Sequence, residues 1–293
     1  MERIAAMDIG GTNIKACVFQ GERVLEKAEI PSQAQRGGAH VLMRAAALAQ
    51  SLRPFSALGV STAGQVDPDT GVIRYANDNI PGYKGLAIKE HFKDIFDVPV
   101  AVVNDVCAAA LGEGVKGAAK DEKNYICLTY GTGVGGGIVL DGKLYHGAGY
   151  CAGSMLGGLI LHADARKEGD PFAGSYERVA SATALVRRAK EIDANIRNGR
   201  DVFKRLEDPA VRAAVDAWLD DVAAGLCTLL HAFNVPLLVL GGGVMEQPYA
   251  IAGARSRTHQ RMIPGFAGVR IEGAKLGNMA GLYGAASLAL CVI

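Results

Sequence analysis

The sequence predicts an α/β fold made of two related halves, and three observations predict it. Strand-like and helix-like patterns interleave along all 293 residues, as they do in α/β proteins. A strand, a Gly-Thr turn and a returning strand occur at Met7–Phe19 (MDIGGTNIKACVF) and again at Tyr130–Leu140 (YGTGVGGGIVL). Those two copies open successive halves of the chain, and self-similarity of this kind points to two domains of related fold. The length also suits two ordinary domains, each with its own core.

Taken in order, Arg3–Met7 is a short apolar strand, Asp8–Thr12 a turn and Ile14–Phe19 a returning strand by its alternation. Val24–Ile30 adds a third strand. A helix is predicted over His40–Leu52, where Val41, Leu42, Ala45, Leu48 and Ala49 share one face. Ala57–Val60 is a buried strand opening into Ser61–Gly64 and a turn-rich loop at Asp67–Gly71. A helix over Leu86–Phe96 and a strand over Val98–Val103 follow. Asn104-Asp105 then opens an alanine-rich helix through Gly114, either residue being able to cap it. Gly117–Lys123, small and polar, is the expected interdomain crossing.

Beyond Tyr125–Gly137, Ile138–Leu144 holds a strand, an Asp-Gly turn and the start of another strand. Glycine-rich Tyr145–Gly158 reads as an active-site wall. Tyr176–Ile192 and Pro209–Phe233 carry the longest helical patterns. Leu237–Leu240 is a buried strand entering a third glycine turn at Gly241–Val244. A helix, a strand at Val269–Ile271 and a helix over Asn278–Leu290 complete the chain.

Composition narrows the function. A hydrophobic share of 49% with 21% charged residues is that of a folded soluble protein. The net charge of +1 gives no reason to expect nucleic acid or an anionic membrane as partner. No signal peptide and no membrane-length apolar run is visible, so a cytoplasmic protein is expected. The six cysteines are scattered with no C-x-x-C pair and read as reduced core thiols, and with equally scattered histidines no structural zinc site is legible.

The glycine turns carry the chemistry. Gly131, Gly133 and Gly136 satisfy G-x-G-x-x-G, which allows a dinucleotide fingerprint or another phosphate loop. A dinucleotide fold needs a helix directly after the glycines. Here they lead into Ile138–Leu140 and an Asp-Gly turn, which reads as strand and hairpin, and no acidic residue follows near twenty positions on. No G-x-x-x-x-G-K-[ST] occurs either. In the first turn Asp8 ends a strand where a carboxylate can hold Mg²⁺ through water. Gly10 and Gly11 permit close backbone approach, Thr12 offers a hydroxyl, and Lys15 is either a phosphate partner or solvated surface. Asp105, at a strand end and a helix start, can accept the proton of an attacking hydroxyl.

These segments in order resemble the ROK sugar kinases of the actin-like ATPase superfamily. The resemblance runs through Asp8–Lys15 (DIGGTNIK), Val60–Asp67 (VSTAGQVD), Asn79–Tyr83 (NIPGY), Val100–Asp105 (VAVVND), Gly131–Gly136 (GTGVGG), Gly174–Ser181 (GSYERVAS), Leu240–Val244 (LGGGV) and Leu276–Ala285. It implies two actin-like (ribonuclease H-like) domains with a cleft between them. The first would span 1–117 and be rejoined by the helix at 278–293, and the second would span 118–277. It implies Asp105 as general base, with Gly64, Asn79, Asn104, Ser154 and Glu177 about the sugar. ATP would be held by Asp8, Gly10, Gly11, Thr12 and Lys15 in one loop and by Gly131, Thr132 and Gly133 in the other. Gly241, Gly242 and Gly243 would flank the adenosine.

The implied activity is ATP- and Mg²⁺-dependent phosphorylation of a sugar hydroxyl, most naturally at C6 of a hexose or N-acetylhexosamine such as glucose or N-acetylmannosamine. Domain closure would exclude water, and a homodimer is compatible with the family. Two departures bear on this. The family's A-G-E-x-G-H becomes Ala152–Gly157 (AGSMLG), with Ser154 for the glutamate and Gly157 for the histidine. Its zinc-binding cysteines are missing, Ser175 standing where G-C-x-E has one, and Met279 replaces a frequent aspartate. Two other functions are therefore weighed. A sugar-binding protein with weakened catalysis fits the lost side chains. A sugar-responsive regulator would need a helix-turn-helix before DIGGT, and that segment begins at residue 8.

Overall fold

The computed structural model describes residues 2–148 and 155–293. Its elements run β1 (Arg3–Ile9), β2 (Asn13–Gln20), β3 (Arg23–Pro31), α1 (Gly38–Ser51), β4 (Ala57–Thr62), β5 (Gln65–Val66), β6 (Ile73–Tyr75), α2 (Ile88–Phe96), β7 (Val100–Asn104) and α3 (Asp105–Lys116). They continue with β8 (Tyr125–Tyr130), β9 (Val134–Leu140), β10 (Lys143–Leu144), α4 (Tyr176–Ala180), α5 (Ala182–Ile192), α6 (Gly199–Phe203), α7 (Pro209–Phe233), β11 (Leu237–Gly241), α8 (Pro248–Arg261), β12 (Arg270–Gly273) and α9 (Ala280–Leu290).

The chain forms two compact units. One comprises Met1–Lys120, Leu144–Ser154 and Asn278–Ile293, the other Asp121–Lys143 and Met155–Gly277. Each unit is centred on a five-stranded mixed sheet, ordered β3-β2-β1-β4-β7 in the first and β10-β9-β8-β11-β12 in the second. In both, the opening hairpin is antiparallel and the next two strands add in parallel.

Burial explains these elements. Strand β4 reads ALGVST and is buried along its whole length, as a central parallel strand must be. In the first unit Met7, Ile9, Val60, Phe92 and Phe96 belong to one apolar core. On the other face of the sheet, α9 packs through Leu282, Ala285 and Ala289 against Ile4, Ala6 and Phe19. That helix lies so close to α3 that a Cβ on Gly284 would overlap the carbonyl oxygen of Ala108. In the second unit α7 buries Trp218, Leu219, Val222 and Leu226 against the sheet. Asp208 caps it by accepting from the backbone N–H of Ala210 at 2.8 Å.

The structure corrects one sequence-based expectation and adds two elements. The helix expected over Tyr176–Ile192 is two helices, broken at Ser181. That residue is extended, and its hydroxyl accepts from the N–H of Ala184 at 3.1 Å. Trp218 donates its indole N–H to the carbonyls of Ala180 and Ser181, fixing the break. The short helix α6 and the hairpin β5–β6 were not expected, both being too brief to show periodicity. No helix among the described residues is long and apolar enough to cross a membrane.

Candidate active site

In the first unit three parallel strands end together. Asp8 on β1 is in register with Ser61 on β4, and Thr62 on β4 with Asn104 on β7. In open α/β sheets ligands bind beyond such carboxyl ends. The Ser61 hydroxyl, fully buried, donates to Asp8 Oδ1 at 2.8 Å. Lys15 stands opposite Asp8 across the antiparallel pair, so its charge acts on that carboxylate. Burial raises the Asp8 pKa, while Ser61 and Lys15 oppose the rise.

The first turn is tightly braced. The Gly10 N–H donates to the Asn13 carbonyl at 3.0 Å. Buried Ser32 donates its hydroxyl to the Gly11 carbonyl at 2.7 Å and its N–H to the Thr12 carbonyl at 2.8 Å. Gly11 and Thr12 remain exposed, and Asn79 lies beside Gly11, close to where a Cβ there would project.

Asn104 caps α3, its side-chain oxygen accepting from Val106 and Cys107 while its amide donates to the Gly64 carbonyl at 2.8 Å. Gly64 (φ 93) leads into the β5–β6 hairpin, so this bond ties that loop to the helix start. The hairpin is held by Asp67, which accepts from Asp69, Thr70 and Arg74 and whose pKa falls to about 2, the Arg74 bond being the leading cause. Asp105 follows at the first position of α3, retaining solvent contact, and accepts from the Val106 N–H at 2.9 Å. Burial by the surrounding protein, and then repulsion from Asp8, lift its pKa to about 6. A carboxyl so placed takes up and releases protons near neutrality, as a general base must.

The second unit holds the other turn. The Gly131 N–H donates to the Gly133 carbonyl at 3.0 Å, and the Gly131 carbonyl accepts from the Ala182 N–H at 3.0 Å at the start of α5. Gly131 and Thr132 are exposed, and no described residue lies within 4 Å of a Cβ built on Gly131. Beside the turn runs a groove of 830 Å³ lined in part by Thr132, Ala182, Val186, Lys190 and Asn198. Gly242 (φ 94) packs so closely on Tyr130 that a Cβ there would overlap the Tyr130 carbonyl. Gly241–Gly243 thus belong to the same end of this sheet as Gly131–Gly133. Glu177 belongs to this unit too, its carboxylate 2.6 Å from where a Cβ on Gly133 would stand.

The two departures of the sequence fare differently. A Cβ on Gly157 would overlap the carbonyl of Val134 on β9, so this backbone path admits no side chain where the resemblance has histidine. Ser154 lies outside the described residues. Ser175 is buried, and its hydroxyl has no hydrogen-bond partner among the described residues. Among the described residues no three His, Cys, Asp or Glu side chains gather as a metal site.

Sequence reasoning missed Ser32, Ser61, the α5 N-terminus and the groove beside it. The signal for Ser61 was present, as a polar residue ending an otherwise apolar buried strand. Ser32 acts through both its hydroxyl and its N–H and Ala182 through its N–H, contacts with distant turns that the local residue pattern does not announce.

A sequence profile described as the ROK family matches residues 4–291. A ROK hexokinase from Thermus thermophilus is 33% identical, superposes with a TM-score of 0.87, and is aligned over 99% of this chain and 98% of its own. A ROK family glucokinase from Streptomyces griseus, solved with glucose and AMPPNP, is 28% identical with a TM-score of 0.82 over 99% of both chains. A glucokinase from Halalkalibacterium halodurans is 30% identical over 95% of this chain and 92% of its own.

Proposed function

Because the chain belongs to the ROK family and is a sugar kinase of two actin-like domains, we propose that it transfers the γ-phosphoryl group of ATP to the C6 hydroxyl of a hexose or N-acetylhexosamine, with Asp105 as general base. Glucose and N-acetylmannosamine are the first candidates. The observation that carries the reading is the Asp105 carboxylate, solvent-accessible at the start of α3 and lifted to about 6. A base of that strength is ionised at neutral pH yet basic enough to draw a proton from an attacking hydroxyl. The bond between Asn104 and the Gly64 carbonyl keeps the sugar-side loop and the base in one frame.

The residues fit a magnesium nucleotide. Asp8 spends one carboxylate oxygen on Ser61, and its Oδ2 has no protein hydrogen bond among the described residues, which suits a hydrated cation. Mg²⁺, when bound, offsets charge on the phosphates. The exposed backbone at Gly11–Thr12 and at Gly131–Thr132 suits phosphate oxygens. The groove along α5 suits the nucleoside, and the Streptomyces griseus relative's AMPPNP complex supports ATP as donor. Phosphoryl transfer passes through a loose transition state, so positioning and electrostatics carry most of the rate.

The test is a coupled ADP-release screen over glucose, N-acetylmannosamine, N-acetylglucosamine, mannose, fructose, allose and β-glucosides. One or more sugars should stimulate ATP turnover at least tenfold over the sugar-free rate, on the order of the gain from positioning an acceptor beside its base. If sugars bind and none stimulates turnover, the chain is a sugar-binding protein. The observation favouring that second reading is Gly157, where no side chain fits.

A further inference from the structure

We infer that Ser61 is a positioning residue that presents Asp8 to the metal–nucleotide. This inference rests on the kinase reading and adds to it a residue that the family resemblance did not assign.

Ser61 is the penultimate residue of β4, a strand buried throughout, and is itself fully buried. A hydroxyl in that place has one proton to give and no water to give it to. It gives it to Asp8 Oδ1 at 2.8 Å, directly across the parallel pair in which Asp8 and Ser61 are in register. Helix α9 closes the other side. A Cβ built on Gly281, in its first turn, would lie 3.3 Å from Ser61 Oγ and 3.8 Å from Asp8 Oδ1. The hydroxyl is therefore walled in by β1, β4 and α9.

Three things follow. One carboxylate oxygen of Asp8 is engaged inside the protein, which fixes the rotation of the group. The other, Oδ2, is left without a protein donor among the described residues, so a cation's water shell meets one acceptor in a fixed place. The hydrogen bond also gives that charged oxygen a donor inside the protein, from a hydroxyl that solvent does not reach. Lys15 supports the same charge from β2 but reaches it only through space. Ser61 alone among the described residues bonds to Asp8, and it does so from the next strand of the sheet.

The experiment is calorimetric titration of ADP, with Mg²⁺ and again in EDTA, into the full chain and its Ser61→Ala variant. Sugar binding and thermal unfolding are followed alongside. Mg·ADP affinity should fall about 10-fold in the variant, the scale of one lost hydrogen bond to a charged group. Affinity for metal-free ADP and for sugar should stay within twofold of the full chain. Ser61→Cys, which keeps a weak donor of similar shape, should recover part of the loss.

Equal weakening with and without Mg²⁺, or unchanged Mg·ADP affinity in Ser61→Ala, overturns the inference and leaves the kinase reading standing. A full chain whose ADP binding ignores Mg²⁺ overturns the inference and removes the metal-dependent part of the reading with it. Should Ser61→Ala unfold, the cysteine variant decides: Mg·ADP affinity lowered with metal-free ADP binding kept supports the inference, and wild-type Mg·ADP affinity, or a loss shared by metal-free ADP, overturns it.

Discussion

In the first unit the β1–β2 hairpin places Asp8 one residue before the end of its strand, paired across to Lys15. In the second, the β8–β9 hairpin places Thr129 there, paired across to Gly135. The strand order around the two hairpins is the same. The first is therefore equipped for charge, with a carboxylate, an opposing lysine and a buried serine donor. The second offers backbone, an open turn at Gly131–Thr132 docked on the start of α5 beside a groove. The same contrast recurs at the third parallel strand. β7 is followed directly by Asp105, whereas β12, whose Glu272 one residue before its end pairs with Arg270, is followed by Ala274. One scaffold used twice thus gathers charged side chains at one hairpin and open backbone at the other.

The sharpest way to break that comparison is Asp105→Asn. Turnover with the best sugar should drop by about 10²–10⁴-fold, the range for a general base, while nucleotide affinity measured by calorimetry stays the same. Normal turnover would return the base to some other residue. Asp8→Asn should lower turnover on the order of 10²-fold, whereas Thr129→Ala at the equivalent place should change it less than about threefold. Equal losses in the two would mean that the hairpins are not specialised.

The pH response of Asp105 sharpens the contrast. Turnover should climb as pH rises through about 6, where this carboxyl ionises. Its folded value lies above the ordinary 3.8, so the folded state binds the proton more tightly. That contribution to stability is complete below the ordinary value and lost as pH rises through about 6. Asp105→Asn should accordingly melt higher than the wild type at pH 8 and alike at pH 3.5. A variant that melts lower at pH 8 would place the group in an environment that favours its charge.

Smaller effects test the supports. Gly157→Ala should destabilise the second unit by about 1–3 kcal/mol through overpacking on Val134, read by urea denaturation. Arg74→Ala leaves Asp67 only its bonds from Asp69 and Thr70 at the surface of the β5–β6 hairpin and should lower the melting temperature only slightly. A two- to threefold rise in sugar KM, with kcat kept, would show that the hairpin helps to frame the Gly64 loop.

Much of this was legible from residues alone. Gly-Thr turns between apolar strands announced both hairpins, and the entry of the second into Ile138–Leu140 argued against a dinucleotide fold. Asn104-Asp105 before an alanine-rich run announced a capped helix with a carboxylate at its start, and that is how α3 begins. The break at Ser181 was hidden because the apolar spacing continues through it, and only the packing of Trp218 makes it necessary.

The sequence by itself determined the class of fold, its internal duplication, the family and the carboxylates available for chemistry, because turn glycines, strand alternation and caps act over a few residues. Only the tertiary structure decided which side chains meet. Asp8 and Ser61 are separated by 53 positions and bond because β1 and β4 pair in parallel. Asp105 carries its raised pKa because folding surrounds it with protein and brings Asp8 near enough to repel it. Gly157 must stay a glycine because β9 passes directly against it. Pairing, burial and repulsion are properties of distances that exist only once the sheets have formed.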